Sequence, residues 1–134
     1  MREVSVSQFV PATPSELDRV LGPRELIEYE GSFSVEAVET RDDEQFVTAS
    51  GPGLTVQYRF EQRDGGWYYE QAGEAGPFKE MQTHVTVERE NEGSRVTMDS
   101  TVSLALPLPF ADRIAAWKRR GELERALEAL VADC

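Results

Sequence analysis

Apolar and polar residues alternate with a period of two along most of the first hundred positions, then switch to helical spacing over the last quarter of the chain. Glu3 to Val10 sets Val4, Val6 and Val10 against Ser5, Ser7 and Phe9, which predicts a first strand. Thr13-Pro14-Ser15-Glu16 then has the form of a capping box, with Thr13 as N-cap, proline in the first helical position and Glu16 three residues on. A short helix carrying Leu17, Val20 and Leu21 follows, broken by Gly22-Pro23. A second, over Arg24 to Tyr29, ends at Gly31. Strands are predicted over Ser32–Thr40, with Phe33, Val35 and Ala37 on one side, and over Gln45–Ser50, Leu54–Gln62, Trp67–Ala72, Phe78–Arg89 and Arg95–Leu106. Asp64-Gly65 is a tight hairpin turn, and Gly73 to Pro77 a loop. Pro107 and Pro109 end the last strand and lead into a long helix, Leu108 to Cys134.

Hairpin geometry sorts these residues onto two faces. With Asp64 and Gly65 in the turn, Phe60 lies opposite Tyr69, Tyr58 opposite Gln71, and Gln62 opposite Trp67. In the last hairpin Val87 faces Val96, Val85 faces Met98, Thr83 faces Ser100 and Met81 faces Val102. All belong to a covered face. Glu80, Gln82, His84, Thr86 and Glu88 then share an exposed face with Thr97, Asp99, Thr101 and Ser103, where an antiparallel sheet meets water. The only histidine, His84, is therefore expected as an exposed cross-strand partner of Asp99, not as an acid–base catalyst in a pocket. Tyr58, Tyr69, Gln71, Thr83 and Ser100 interrupt the covered face. They either satisfy one another or line a cavity, and a few converging polar groups among aromatics suit a small-molecule site.

Over the long helix, Phe110, Ile114, Trp117 and Gly121 form one stripe and Leu123, Leu127 and Leu130 another. The expectation is that the first half, with Ile114 and Trp117, walls a cavity and the second half clamps the sheet. A bend near Gly121 would serve the same end. Lys118-Arg119-Arg120 is expected to face solvent and pair with Glu122 and Glu124. Glu28 and Glu30 flank Tyr29, where a carboxylate at a cavity mouth could act as a general base, but solvated surface is the favoured reading.

At 134 residues, 40% hydrophobic and 9% aromatic, the chain suits one folded domain spanning 1–134. A net charge of −11 opposes nucleic acid and anionic surfaces. Two lysines against twelve arginines, with abundant carboxylates, fit a surface adapted to high salt. A single cysteine, Cys134, allows no internal disulfide, and one His with one Cys makes none of the common zinc sites. No signal-peptide pattern or membrane-length apolar run is present, so a cytoplasmic location without stable membrane insertion is expected. Glycines form neither GxGxxG nor a P-loop, and no GxSxG occurs. No cofactor, metal or nucleic-acid partner is implied.

The order strand, two short helices, six strands and long helix resembles the START-like (SRPBCC) superfamily, the helix-grip fold of birch-pollen-allergen-like proteins, polyketide cyclases and lipid-transfer domains. The stretches that carry the resemblance are Val10 to Tyr29, Gly76-Pro77-Phe78, Glu92 to Thr97 and the terminal helix. It implies an α+β fold, with a curved antiparallel sheet of about seven strands wrapped around the C-terminal helix and a cavity between them for an apolar or amphipathic molecule. The site expected is Tyr29, Phe33, Tyr58, Phe60, Trp67, Tyr69, Gln71, Thr83, Met98, Ser100 and Trp117. Desolvation at roughly 25 cal/mol per Å² of apolar area would drive binding, before ordering costs. Non-enzymatic binding of a lipid-, isoprenoid- or polyketide-like molecule is the reading. The alternatives are a cyclase or dehydratase in the same pocket, disfavoured by the lack of an inward His, Asp or Glu, and a protein-interaction module using the outer face, where Tyr68 is the one large apolar candidate.

Overall fold

A computed structural model describes residues 1–73, 78–104 and 108–134. Seven strands, β1 (Arg2–Val10), β2 (Ser34–Arg41), β3 (Glu44–Gly51), β4 (Leu54–Arg63), β5 (Gly66–Ala72), β6 (Glu80–Glu90) and β7 (Gly93–Ser103), form one antiparallel sheet in the order β1-β7-β6-β5-β4-β3-β2. The first two strands thus occupy opposite edges. Helices α1 (Pro14–Val20) and α2 (Pro23–Glu30) carry the chain from one edge to the other, and α3 (Ala111–Ala132) lies against β1, β7 and α2. This is the helix-grip arrangement.

Local chemistry sets the entry to the grip. Thr13 and Glu16 form the reciprocal capping box at α1, and Pro14 takes the first turn, where its missing N–H is not needed. Gly31 ends α2 in the left-handed region at φ 79°. Arg125 of α3 donates from Nε to the Glu30 carbonyl at 3.0 Å, satisfying an end group of α2.

Both predicted registers hold. Phe60 pairs with Tyr69, Tyr58 with Gln71 and Gln62 with Trp67. Val87, Val85, Thr83 and Met81 pair with Val96, Met98, Ser100 and Val102, and His84 with Asp99. Several boundaries differ: β6 begins at Glu80 and α3 at Ala111, each two or three residues later than predicted. β2 begins after Ser32 and Phe33, and a bulge between Val35 and Ala37 breaks its period. Val35 and Val38, not Ala37, then pack on the core. β7 ends at Ser103, and the ends predicted at Leu106 and Pro107 lie outside the described residues, as does most of the Gly73–Pro77 loop.

The largest departure is in α3. Its buried face is continuous: Ala111, Ala115, Arg119, Glu122, Leu123, Ala126, Leu127 and Leu130. Trp117 is 79% exposed, and Phe110 and Ile114 also stand in solvent. The apolar stripe of the first half therefore does not wall a cavity. Alanines take its place because they admit the sheet closely and leave room for Arg119.

Candidate functional site: a saturated arginine beside an open cleft

Arg119 is 1% exposed, which corrects the expectation that the whole Lys118-Arg119-Arg120 run faces water. Of its neighbours, Lys118 makes the expected pair with Glu122 at 3.3 Å, whereas Arg120 meets the Ser5 backbone carbonyl and not Glu124. Glu30 is likewise buried, although Glu28 stays on the surface opposite Arg24. Two carboxylates, Glu30 and Glu122, thus point inward where none was expected.

Five elements supply this cluster. From Nη1, Arg119 donates to Glu30 at 2.8 Å and Glu122 at 3.1 Å. From Nη2 it donates to Thr83 at 2.7 Å and Tyr69 at 3.1 Å, and from Nε to Ser100 at 3.2 Å. A guanidinium has five N–H donors, and each has a protein acceptor here. The Tyr69 hydroxyl donates to Glu30, and Ser32 donates to Glu122. Thr83 and Ser100 also contact each other at 2.9 Å. Thr83, Ser100 and Tyr69 are thus joined to one another through Arg119.

The electrostatics follow from this packing. Burial opposes a charge on Arg119, but Glu30, Tyr69 and Glu122 outweigh it and hold the pKa above that of an ordinary arginine. Burial pushes the Glu122 carboxyl up, yet Arg119, the Ser32 hydroxyl and Lys118 bring it below the usual value. Tyr69 is held as a neutral phenol, first by burial and then by the Glu30 charge. Burial and Glu30 act on Tyr58 in the same direction.

The inner face of the β4–β5 hairpin reads differently along its length. At its centre Phe60 stacks on Tyr69, with centroids 4.5 Å apart, against the arginine cluster. Toward the open end, Gln71 donates to the Phe78 carbonyl at 2.7 Å, while its buried Oε1 has no partner among the described residues. At the turn end a cleft of about 600 Å³ opens beneath α1. Leu17, Leu21, Trp67 and Val87 supply apolar walls, and Ser15, Asp18, Gln62, Arg63 and Asp64 polar ones. Gly66 lies on this lining where β6 passes close by. A Cβ there would sit 1.7 Å from the Val85 carbonyl oxygen, so a side chain would push the strands apart.

Of the eleven residues expected to bind ligand, Trp67 alone lines this cleft. Tyr58, Phe60, Tyr69, Thr83, Met98 and Ser100 are buried in the interior. Tyr29 is half-buried and donates to Asp133 at 2.6 Å, tying α2 to the end of α3. Phe33 packs on Gly51 at the far edge, and Gln71 lies at the opposite end of the hairpin from Trp67. Trp117 is outside altogether. Sequence reasoning missed Leu17, Leu21, Arg63 and Val87 as cleft residues. The capping box that placed α1 so clearly was the one available signal that Leu17 would roof something.

On the outer face, His84 is exposed, but its Nε2 lies 3.0 Å from the Arg63 guanidinium, and its ring tilts onto Tyr68. Arg63 and Arg59 cover Tyr68 from above, so that ring is buried and offers no apolar patch.

The whole chain, residues 1–134, matches the family model described as polyketide cyclase / dehydrase and lipid transport. It belongs to that family. Solved structures share the fold at low identity. A START superfamily protein from Mycobacterium smegmatis superposes with a TM-score of 0.74 at 12% identity, covering 98% of this chain and 95% of that one. The Zhui aromatase/cyclase from Streptomyces sp. R1128 gives 0.71 at 16%, over 98% and 89%. Ara h 8.0201 gives 0.63 at 16%, over 98% of each chain. No curated protein sequence matches the chain. At these identities the likeness establishes the fold and leaves the chemistry to the site.

Proposed function

We propose that the protein binds a small amphipathic molecule in the cleft beneath α1 and does not transform it. The carrying observation is the cleft itself. Its volume is within the range of small-molecule sites, and it joins an apolar wall of Leu17, Leu21, Trp67 and Val87 to a polar rim of Asp18, Gln62 and Arg63. An apolar body would lie on Trp67, and a polar head would meet Arg63 or Asp18. The family description covers both lipid transport and cyclase or dehydrase activity. A cyclase reading would look to Arg119, Glu30 and Tyr69 for chemistry. Every donor of Arg119 is already taken by protein groups, so none is left to stabilise a developing anion.

Titration with 1-anilinonaphthalene-8-sulfonate, followed by displacement with fatty acids and polycyclic phenols, tests this reading. Saturable binding is expected. Val87→Trp, which fills the cleft, should weaken it at least about tenfold, and displaced compounds should be recovered unchanged by mass spectrometry. If Val87→Trp binds as wild type does, the cleft is not the site. If a displacing compound is converted, the protein is an enzyme.

A further inference from the structure

The four large apolar side chains exposed near the start of α3 have no role in the grip or the cleft. Leu108 is 56% exposed, Phe110 60%, Ile114 50% and Trp117 79%. Phe110, Ile114 and Trp117 lie within about 60° of one another around the helix axis, at 100° per residue. Isolated exposed apolar residues are ordinary, but three on one helix ridge, with Leu108 just before it in sequence, are not.

Charge is segregated onto the same segment. Residues 108–120 hold Arg113, Lys118, Arg119 and Arg120 against Asp112, a net of +3, so the remainder of the chain carries −11 − 3 = −14. Arg119 is buried and neutralised within its cluster. Of the others, Arg113 lies over the Phe110 ring at 5.7 Å, and Lys118 lies near Phe78 while also paired with Glu122. Asp112 is paired with the Met1 amino group. Farther along, the same helix face continues through Gly121 into Glu124 and Glu128. The surface thus changes within two turns from apolar and cationic to acidic.

We propose that this ridge docks on the surface of an anionic lipid bilayer, with the N-terminal end of α3 toward the membrane. Trp117, Phe110, Ile114 and Leu108 sit at the level of the headgroups, and Arg113, Lys118 and Arg120 face the lipid phosphates. Tryptophan and arginine are the side chains such an interface favours. A bilayer fits better than a protein because exposed apolar side chains flanked by Arg113, Lys118 and Arg120 match the apolar and phosphate layers of a lipid surface. The overall charge of −11 does not prevent this. At physiological salt the screening length is about 8 Å, so the nearest cations act on the lipid while distant carboxylates are screened. No helix among the described residues is long and apolar enough to cross a membrane, and the contact is one of surface docking. The inference is independent of the cleft.

Co-sedimentation with vesicles of phosphatidylcholine containing about 30 mol% phosphatidylglycerol, against phosphatidylcholine alone, tests it. The protein should bind the anionic vesicles and not the neutral ones, and binding should fall as salt rises. Trp117→Ser with Phe110→Ser should weaken it at least about tenfold, and Arg113→Glu with Arg120→Glu by a similar factor. All four positions are on the surface, and unchanged circular dichroism will show the variants folded. Absence of binding to anionic vesicles, or variants that bind like wild type, overturns the proposal. So does self-association, seen by analytical ultracentrifugation and lost in Trp117→Ser, without vesicle binding. That outcome would assign the ridge to a second copy of the chain.

Discussion

The two halves of α3 make opposite use of the same kinds of residue. In the second half the leucines Leu123, Leu127 and Leu130 are buried and the charges lie outside. In the first half the large apolar groups Phe110, Ile114 and Trp117 are outside, and the side chains against the sheet are Ala111, Ala115 and Arg119, with Glu122 at the junction. The difference lies in the sheet beneath. The arginine cluster draws on acceptors from the middle of the sheet, Tyr69 of β5, Thr83 of β6 and Ser100 of β7, and on Glu30 at the end of α2. A buried charge is tolerated only where each of its donors is met, and this is the place where they are. An apolar residue on a helix is thus no guide to the core when a complete polar network occupies the inward position.

Removing Arg119 is expected to have the largest effect. Arg119→Ala leaves Glu30 and Glu122 buried without their partner, and urea denaturation should show a loss of about 3–5 kcal/mol. A loss below about 1 kcal/mol would mean that the carboxylates reach water and the cluster is not closed. Leu123→Ala tests the other half. Leu123 is fully buried, so its truncation should cost about 2–5 kcal/mol, through lost transfer energy and the cavity left behind. Trp117→Ala should have the smallest effect, within about 0.5 kcal/mol in either direction, because the indole contributes little to the fold. A large loss of stability there would return the first half of α3 to the role of cavity wall.

Much of the architecture was legible in the chain. The capping box at Thr13, the glycine ending α2, the Asp64-Gly65 turn and both hairpin registers follow from local rules. A turn type dictates which residues face each other, and a period of two dictates which share a face. From these alone His84 came out on the exposed face and Thr83, Ser100 and Tyr69 on the covered one. The fold resemblance rested on the order of elements and on local stretches such as Val10 to Tyr29.

The site was less legible. Alternation places Thr83, Tyr69 and Ser100 inside but cannot say whether they line a void or meet a partner. That depends on Arg119, which stands nineteen or more residues away in sequence from any of them. A basic run on a helix reads as solvent-facing because burying a charge is prohibitive in isolation, and only the folded chain shows the acceptors that change the balance. The cleft under α1 is likewise a product of packing, since Leu17, Trp67 and Val87 belong to three separate elements. Local sequence determined strands, caps, turns and faces, because those are decided within a few residues. Whether each inward polar group was to be filled or left open was decided by tertiary structure, because only there do donors from one helix meet acceptors from three strands.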